Sequence, residues 1–286
     1  MIQDSPKKKH ILIVGFGYVG QKLAQILFNE GHIVSALRRS ETISDYASVN
    51  SVDVTCKESM NTVLVSDLDV IIYTVSADTQ SEESYKSAYV TGVENCRTII
   101  ERAKNENLRF IFTSSTGVYG QDDGSEVNEE SETVPSSFTG EILLQGERAA
   151  LSLPCKSNIV RLSGIYGPER NYLIRKVLSG EAISVNPQAY TNRIHRDDAA
   201  AILKWVSEHE NPSKIYLGVD DAQATQEEVL EYLSKRLGVS KPTFNSQFRQ
   251  GLNKRCSNKL SKSQGFTLLY PSYKEGYESL LMQYSR

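Results

Sequence analysis

"HILIVGFGYVGQKLAQILFNEG", residues 10–31, passes from an unbroken apolar run through three spaced glycines into an amphipathic stretch. The apolar "HILIV" (10–14) reads as a buried strand. "YVGQKLAQILFNEG" (18–31) reads as a helix, with Leu23, Ile26 and Leu27 on one face and Gly31 as its stop. The join, Gly15-Phe16-Gly17-Tyr18-Val19-Gly20, is a G-x-G-x-x-G. Alone that pattern is weak; a strand before it and a helix after it give it meaning. Gly15 then permits the tight turn, Gly17 lets the backbone approach a pyrophosphate, and Gly20 lets helix and strand pack closely. The helix N-terminus adds amide donors and a partial positive charge for an anion. The alternative is a glycine turn that holds no ligand.

Working outward, short apolar runs alternate with longer amphipathic ones. Strands are expected at 32–37, 51–54, 68–76 and 109–115. One long helix is expected from about Glu82 to Leu108, with Val90, Val93, Cys96 or Arg97, and Ile100 inside. Strands buried on both faces and separated by helices imply an α/β fold with a Rossmann-type, doubly wound parallel sheet. Residues 117–135 are polar and acidic and read as a surface loop. A helix resumes at 138–153, and "SNIVRLSGIYG" (157–167) is another strand. Beyond it the pattern becomes helices with weak strands between, at 172–180, 196–209 and 225–238. The expected organisation is a flexible tail (1–9), a dinucleotide-binding Rossmann domain (10–163) and a small C-terminal α/β substrate lobe (164–286). No Pro/Gly/Ser linker divides the two, so the lobe is not an independent domain.

The chain has 286 residues and a formal net charge of -3 at pH 7, so neither a basic nucleic-acid surface nor an acidic tail is implied. Lys7–Lys9 form a local cluster, read as a solvated terminus or, alternatively, a phosphate-binding arm. The four cysteines, Cys56, Cys96, Cys155 and Cys256, are far apart and form no metal-ligand spacing. Reduced thiols in a cytoplasmic protein follow, with no disulfide framework and no metal. No signal-peptide pattern is visible, and no run approaches the roughly 20 apolar residues that span a bilayer. The expectation is a soluble protein that binds neither membrane nor nucleic acid.

The end of the second strand discriminates between cofactors. An NAD site wants an acid about 20 residues beyond the glycines, to accept from the ribose hydroxyls. Here "LRRS" (37–40) stands instead. Arg38 and Arg39 beside Ser40 suit a 2′-phosphate, since arginine offers a bidentate fork to phosphate oxygens. Two solvated arginines are the bland alternative. NADP is therefore read over NAD, which stays possible. Asp53 and Val54, closing the third strand, are placed to meet an adenine. Val75-Ser76-Ala77, closing the fourth, line the adenosine and phosphate path. Both are equally compatible with ordinary strand ends.

"FIFTSSTGVYG" (110–120), "VRLSGIYGPER" (160–170), "NRIHRDDAAAIL" (192–203) and "GFTLLYPSYKEGYESLL" (265–281) together resemble the extended short-chain dehydrogenase/reductase superfamily. The likeness is to its NAD-dependent epimerase/dehydratase group, in the atypical YeeZ-like branch, and runs over nearly the whole chain. The resemblance implies a Rossmann sheet carrying the dinucleotide and a C-terminal lobe for the substrate. It carries the active-site serine onto Ser115, the positions beside the nicotinamide onto Leu162 and Ser163, and the start of the substrate lobe onto Tyr166. His195 and Asp197 to Asp198 read as scaffold. Family members often dimerise through the helices expected at 82–107 and 138–153. Their inner stripes could equally face the sheet, so monomer and homodimer both stay open.

The departures from the family bear on chemistry. The family usually reads G-x-x-G-x-x-G. Its catalytic Tyr-x-x-x-Lys aligns with Thr139 and Leu143, and residues 131–150 contain neither Tyr nor Lys. The arginine that grips a sugar-nucleotide diphosphate falls on Thr191. A free tyrosine has a pKa near 10, and work at neutral pH requires lowering it by about three units, roughly 4 kcal/mol. Threonine ionises far too reluctantly to replace it, and the lost acid-base help is worth about 10²–10⁴-fold. Tyr119, Tyr166 and Glu141 are the substitute acid-base candidates, though a tyrosine at a strand end is usually packing. Two main functions follow as expectations. One is an NAD(P)-dependent epimerase/dehydratase-like enzyme or oxidoreductase acting on a small carbonyl or sugar-like substrate. The other is a catalytically silent NADP(H)-binding sensor or scaffold. An interaction module that uses the turn only structurally is a third.

Overall fold

Neither face of the first strand meets water, which is why its sequence shows no alternation: Ile11 to Val14 are all buried. This computed structural model describes residues 8–65, 67–249 and 253–282. Strand β1 (His10–Val14) pairs in parallel with β2 (Ile33–Arg38) on one side and β4 (Val70–Tyr73) on the other. Val14 lies opposite Leu37 in one pairing and Tyr73 in the other. Parallel pairing extends from β2 to β3 (Ser48–Ser51) and from β4 to β5 (Arg109–Ser115). With β6 (Lys156–Leu162) and β7 (Ile215–Gly218), the seven strands lie in the order β3-β2-β1-β4-β5-β6-β7. The order reverses between β1 and β4, the point at which doubly wound sheets take their ligands.

Helix α1 (Tyr18–Asn29) buries Val19, Gly20, Leu23, Ala24 and Leu27. It stops just before Gly31, whose φ of +86° suits a residue without Cβ. The strand expected at 51–54 lies three residues earlier. As the edge strand it exposes its side chains, and the apolar Val52 and Val54 are buried just past its end. The helix expected at 82–108 is α2 (Glu82–Lys86), a π-helical turn (Ser87–Thr91) and α3 (Gly92–Ala103). The buried Tyr73 hydroxyl donates to the Ala88 carbonyl inside that turn, so the helix widens where a tyrosine enters it. Val93, Cys96, Ile99 and Ile100 form its buried stripe; Val90 is half-buried and Arg97 exposed.

Helix α4 (Phe138–Leu151) carries one charged residue into the interior. Glu147 accepts from Ser114 Oγ at 2.6 Å, from Arg161 Nε at 2.9 Å and from Arg161 Nη2 at 2.7 Å. Both charged side chains are 5% exposed, so the pair joins α4 to β5 and β6 without water.

The chain divides into two compact units. One comprises Met1–Val118, Ser137–Arg161 and Ala200–Ile215; the other comprises Tyr119–Ser136, Leu162–Ala199 and Tyr216–Arg286. The acidic segment 119–136 thus groups with later residues, and helix α5 (Arg196–Glu208) begins in one unit and ends in the other. In the first unit, Lys204 Nζ lies 2.7 Å from Glu30 and 3.0 Å from Glu208. His32 faces Glu208 at 3.1 Å through Nε2 and accepts the Lys9 N–H at Nδ1. Glu30, His32 and Glu208 have metal-ligand chemistry, but an ammonium is the cation between the carboxylates. Residues 1–7 of the expected tail lie outside the described residues, whereas the Lys9 ammonium donates to the Ser207 carbonyl.

In the second unit, Ile174, Val177, Val229, Leu230, Leu233 and Leu280 share a core. The strand expected at 157–167 ends at Leu162. Gly164–Tyr166 pairs instead with Arg193–His195, in a separate small sheet. Helices Gln226–Leu237 and Tyr273–Leu281 each start in a reciprocal capping box, Thr225 with Glu228 and Ser272 with Glu275. Among the described residues no helix is long and apolar enough to cross a membrane.

Candidate dinucleotide site

The chain leaves β1 through a turn that leans on its neighbours. Gly15 N and Phe16 N both donate to the Leu37 carbonyl, at 3.1 and 3.0 Å. Thr74 Oγ1 donates to the Gly15 carbonyl at 2.7 Å. Gly15 has a φ of +103°, and a Cβ there would lie 2.6 Å from Val75 N. A Cβ on Gly20 would collide with the Gly15 carbonyl oxygen. These two glycines are required by the protein's own packing. Gly17 is different: its φ is -101°, and an added Cβ would meet no heavy atom within 4 Å. The backbone is bare there because the space beside it is open.

The first bond of α1 runs from Gln21 N to the Gly17 carbonyl at 2.9 Å. No side chain caps the helix and its first turn carries no acid. The start of α1 is thus electropositive and uncovered by any carboxylate of its own.

Beyond this turn lies a cavity of about 530 Å³. Gly15, Phe16, Gly17, Arg38, Arg39, Asp53, Val54, Val75 and Ser76, all anticipated from the sequence, line it together. Tyr18, Val19, Gly20, Ser40 and Ala77 are not among its lining residues. Val19 and Gly20 are buried behind the turn, and Ser40 is exposed. Leu162 is buried in the other unit. Asp53 lies two residues past β3, and its Oδ1 accepts from Thr55 N and Thr55 Oγ1 at 2.9 and 2.8 Å. The Arg38 side chain has no hydrogen-bond or ion-pair partner among the described residues, whereas Arg39 is paired with Asp78. The lining also includes Thr74, Asp78, Thr79, Ser81, Glu83 and Ser84, which sequence reasoning missed. Their one signal is the serine-rich helix start "SEES" (81–84), where Ser81 accepts from Ser84 N. A dinucleotide fits this set: an open glycine cradle, an uncapped helix start and a partnerless guanidinium at the end of β2.

The acid-base candidates lie apart from this cavity's lining. In the first unit, Ser115 Oγ accepts from Gly117 N at 3.0 Å and is half-buried. Thr139 Oγ1 lies 2.9 Å from Ser137 Oγ, the N-cap of α4. Leu143, at the family's lysine position, is 6% exposed, and Glu141 is exposed. In the second unit, Tyr119 is wholly buried and donates to the Asn128 carbonyl at 2.8 Å. The Tyr166 hydroxyl is buried against Gly276 without a hydrogen-bond partner. Burial pushes its pKa well above 10, away from the range a neutral-pH base needs. Asp220 also rises, to about 7, because burial outweighs the attraction of Arg193. Asp198 accepts from Leu269 N and Tyr270 N at 2.6 and 3.0 Å, a structural tie at a helix start.

Residues 9–219 match the RmlD substrate binding domain family. A Methylobacillus flagellatus chain assigned to the NAD-dependent epimerases/dehydratases is 31% identical. The match covers 97% of this chain and 99% of that one, with a TM-score of 0.82. Protein YeeZ of Escherichia coli K12 is 24% identical over 276 residues, 92% of this chain and 97% of YeeZ. The human epimerase family protein SDR39U1, solved with NADPH, shares the fold at 16% identity and a TM-score of 0.79, covering 96% of this chain and 99% of that one. With the sheet order, the glycine turn and these matches in agreement, the chain belongs to the NAD-dependent epimerase/dehydratase family of extended short-chain dehydrogenase/reductases.

Proposed function

We propose that this protein binds NADP(H) and acts as an epimerase/dehydratase-like enzyme or oxidoreductase on a small carbonyl or sugar-like substrate. One observation carries the reading: the cavity beyond β1 combines the open Gly17 cradle with a partnerless Arg38. The pyrophosphate would approach Gly17 and the start of α1, while Arg38 would take the 2′-phosphate. Structural neighbours were solved with either cofactor, NADPH in the human protein and NAD in the Bordetella bronchiseptica enzyme WbmG, so the choice of NADP(H) rests on Arg38. When bound, the nicotinamide supplies a hydride donor or acceptor. Ser115 Oγ accepts the Gly117 N–H, which fixes the oxygen and leaves its own proton for a substrate oxygen. Thr139 shares a hydrogen bond with Ser137 and would position substrate rather than exchange its proton. The reading expects at least one compound in a broad carbonyl panel to oxidise NADPH, followed at its absorbance band. Ser115→Ala should lower that rate by about 10-fold or more.

The buried Leu143 favours a second reading, because no ammonium stands where the family's lysine would lower a neighbouring pKa. The protein would then be a silent NADP(H) sensor or scaffold. It would show different hydrogen exchange in its NADP⁺ and NADPH forms and no turnover with any carbonyl compound. Identical exchange in the two forms would contradict it.

A further inference from the structure

Arg38 and Arg39 line the same cavity but stand in different states. Arg39 is already bound, fork to fork: Nη1 donates to Asp78 Oδ2 at 2.7 Å and Nη2 to Asp78 Oδ1 at 2.5 Å. Arg39 follows β2 and Asp78 follows β4, the strands that flank β1. The pair therefore links the loops on either side of the strand that feeds the glycine turn. Its two parallel bonds are those a phosphate would make with the same guanidinium.

The Asp78 loop is held in place independently of Arg39. Asp78 N and Thr79 N both donate to Ser84 Oγ, at 3.1 and 3.3 Å, and Ser84 N donates to the N-cap Ser81 Oγ at 3.2 Å. The carboxylate is thus presented to Arg39 by a fixed loop. The two side chains are 59% and 56% exposed, so water and ligand reach the pair and each can be released from it. The hydrogen bonds from Arg39 hold the Asp78 carboxyl below its ordinary range, so the closed pair is one of guanidinium and carboxylate.

We propose that Asp78 is a specificity-determining residue of this pocket, an internal stand-in for phosphate that competes with the cofactor's 2′-phosphate for Arg39. The inference rests on the dinucleotide reading above. NADP(H) reaches Arg38 unopposed but must displace Asp78 to recruit Arg39. NAD(H) has only a hydroxyl at that position and leaves the ion pair closed. The clasp thereby narrows the preference that the two arginines would otherwise give the phosphorylated cofactor.

Calorimetric titration of the wild type and Asp78→Asn with NADPH and NADH tests this. Asp78→Asn should bind NADPH about three- to five-fold tighter, the upper part of the range of an exposed ion pair. Its NADH affinity should stay within about two-fold. In an Arg39→Leu background the same substitution should give no gain, because the competition acts through Arg39. Unchanged or weaker NADPH binding in Asp78→Asn would overturn the proposal. So would an equal gain for both cofactors, which would mark general repulsion by a carboxylate. If neither protein bound either cofactor, the dinucleotide reading itself would fall. Binding without the differential response would remove this inference alone.

Discussion

Gly17→Ala should lose dinucleotide affinity by about 100-fold or more while leaving the fold intact. The backbone at Gly17 is in a conformation open to any L-residue, and an added methyl would meet no protein atom within 4 Å. The methyl would instead enter the space through which a pyrophosphate reaches the backbone. Alanine is a poorer N-cap than glycine, so a stability loss of up to about 1 kcal/mol is expected. Gly15→Ala should behave oppositely, because its φ of +103° and the closeness of Val75 N make the cost structural. A few kcal/mol of stability should go there. Thermal unfolding beside calorimetric titration separates the two effects. Wild-type affinity in a folded Gly17→Ala protein would mean that no ligand approaches the turn.

The second large effect concerns stability. Glu147 and Arg161 are buried together, so removing either charge deprives the other of its buried counter-charge. Glu147→Leu and Arg161→Met should each cost about 3–5 kcal/mol in denaturant unfolding. The double variant Glu147→Leu/Arg161→Met should cost clearly less than the sum, because both charges disappear at once. Ser114 loses its acceptor in the Leu variant, which keeps the double variant below wild type. Strict additivity of the two single losses would contradict this account of the pair.

How much was legible in the chain follows from burial. Strands β1, β4 and β5 are apolar on both faces because both faces are covered, and a continuous apolar run survives any error in register. Strand β3 was misplaced for the converse reason: its side chains are largely exposed, and the valines nearby are buried after it ends. That shift moved Asp53 from strand end to loop yet left it on the cavity wall. The glycine turn and the arginines were readable because a strand end followed by a helix fixes what lies beside it. Asp78 was not, since its partner Arg39 is 39 residues away and no local periodicity links them. Thr74 hid in the apolar run of β4, although its hydroxyl holds the Gly15 carbonyl. The absence of Tyr and Lys at positions 139 and 143 was plain in the sequence. What, if anything, replaces them depends on how side chains meet around a substrate, and no periodicity encodes that. The same limit applies to Tyr166, whose burial raises its pKa when catalysis would need it lowered.

The most direct test of the central claim is calorimetric titration of the apo protein with NADPH, NADP⁺, NADH and NAD⁺. The open cradle at Gly17 and the partnerless Arg38 predict saturable binding, with both phosphorylated forms bound more tightly than their counterparts. Failure of all four to bind would contradict it: the turn after β1 would then be a structural turn only, and the cavity beside it would belong to some other ligand.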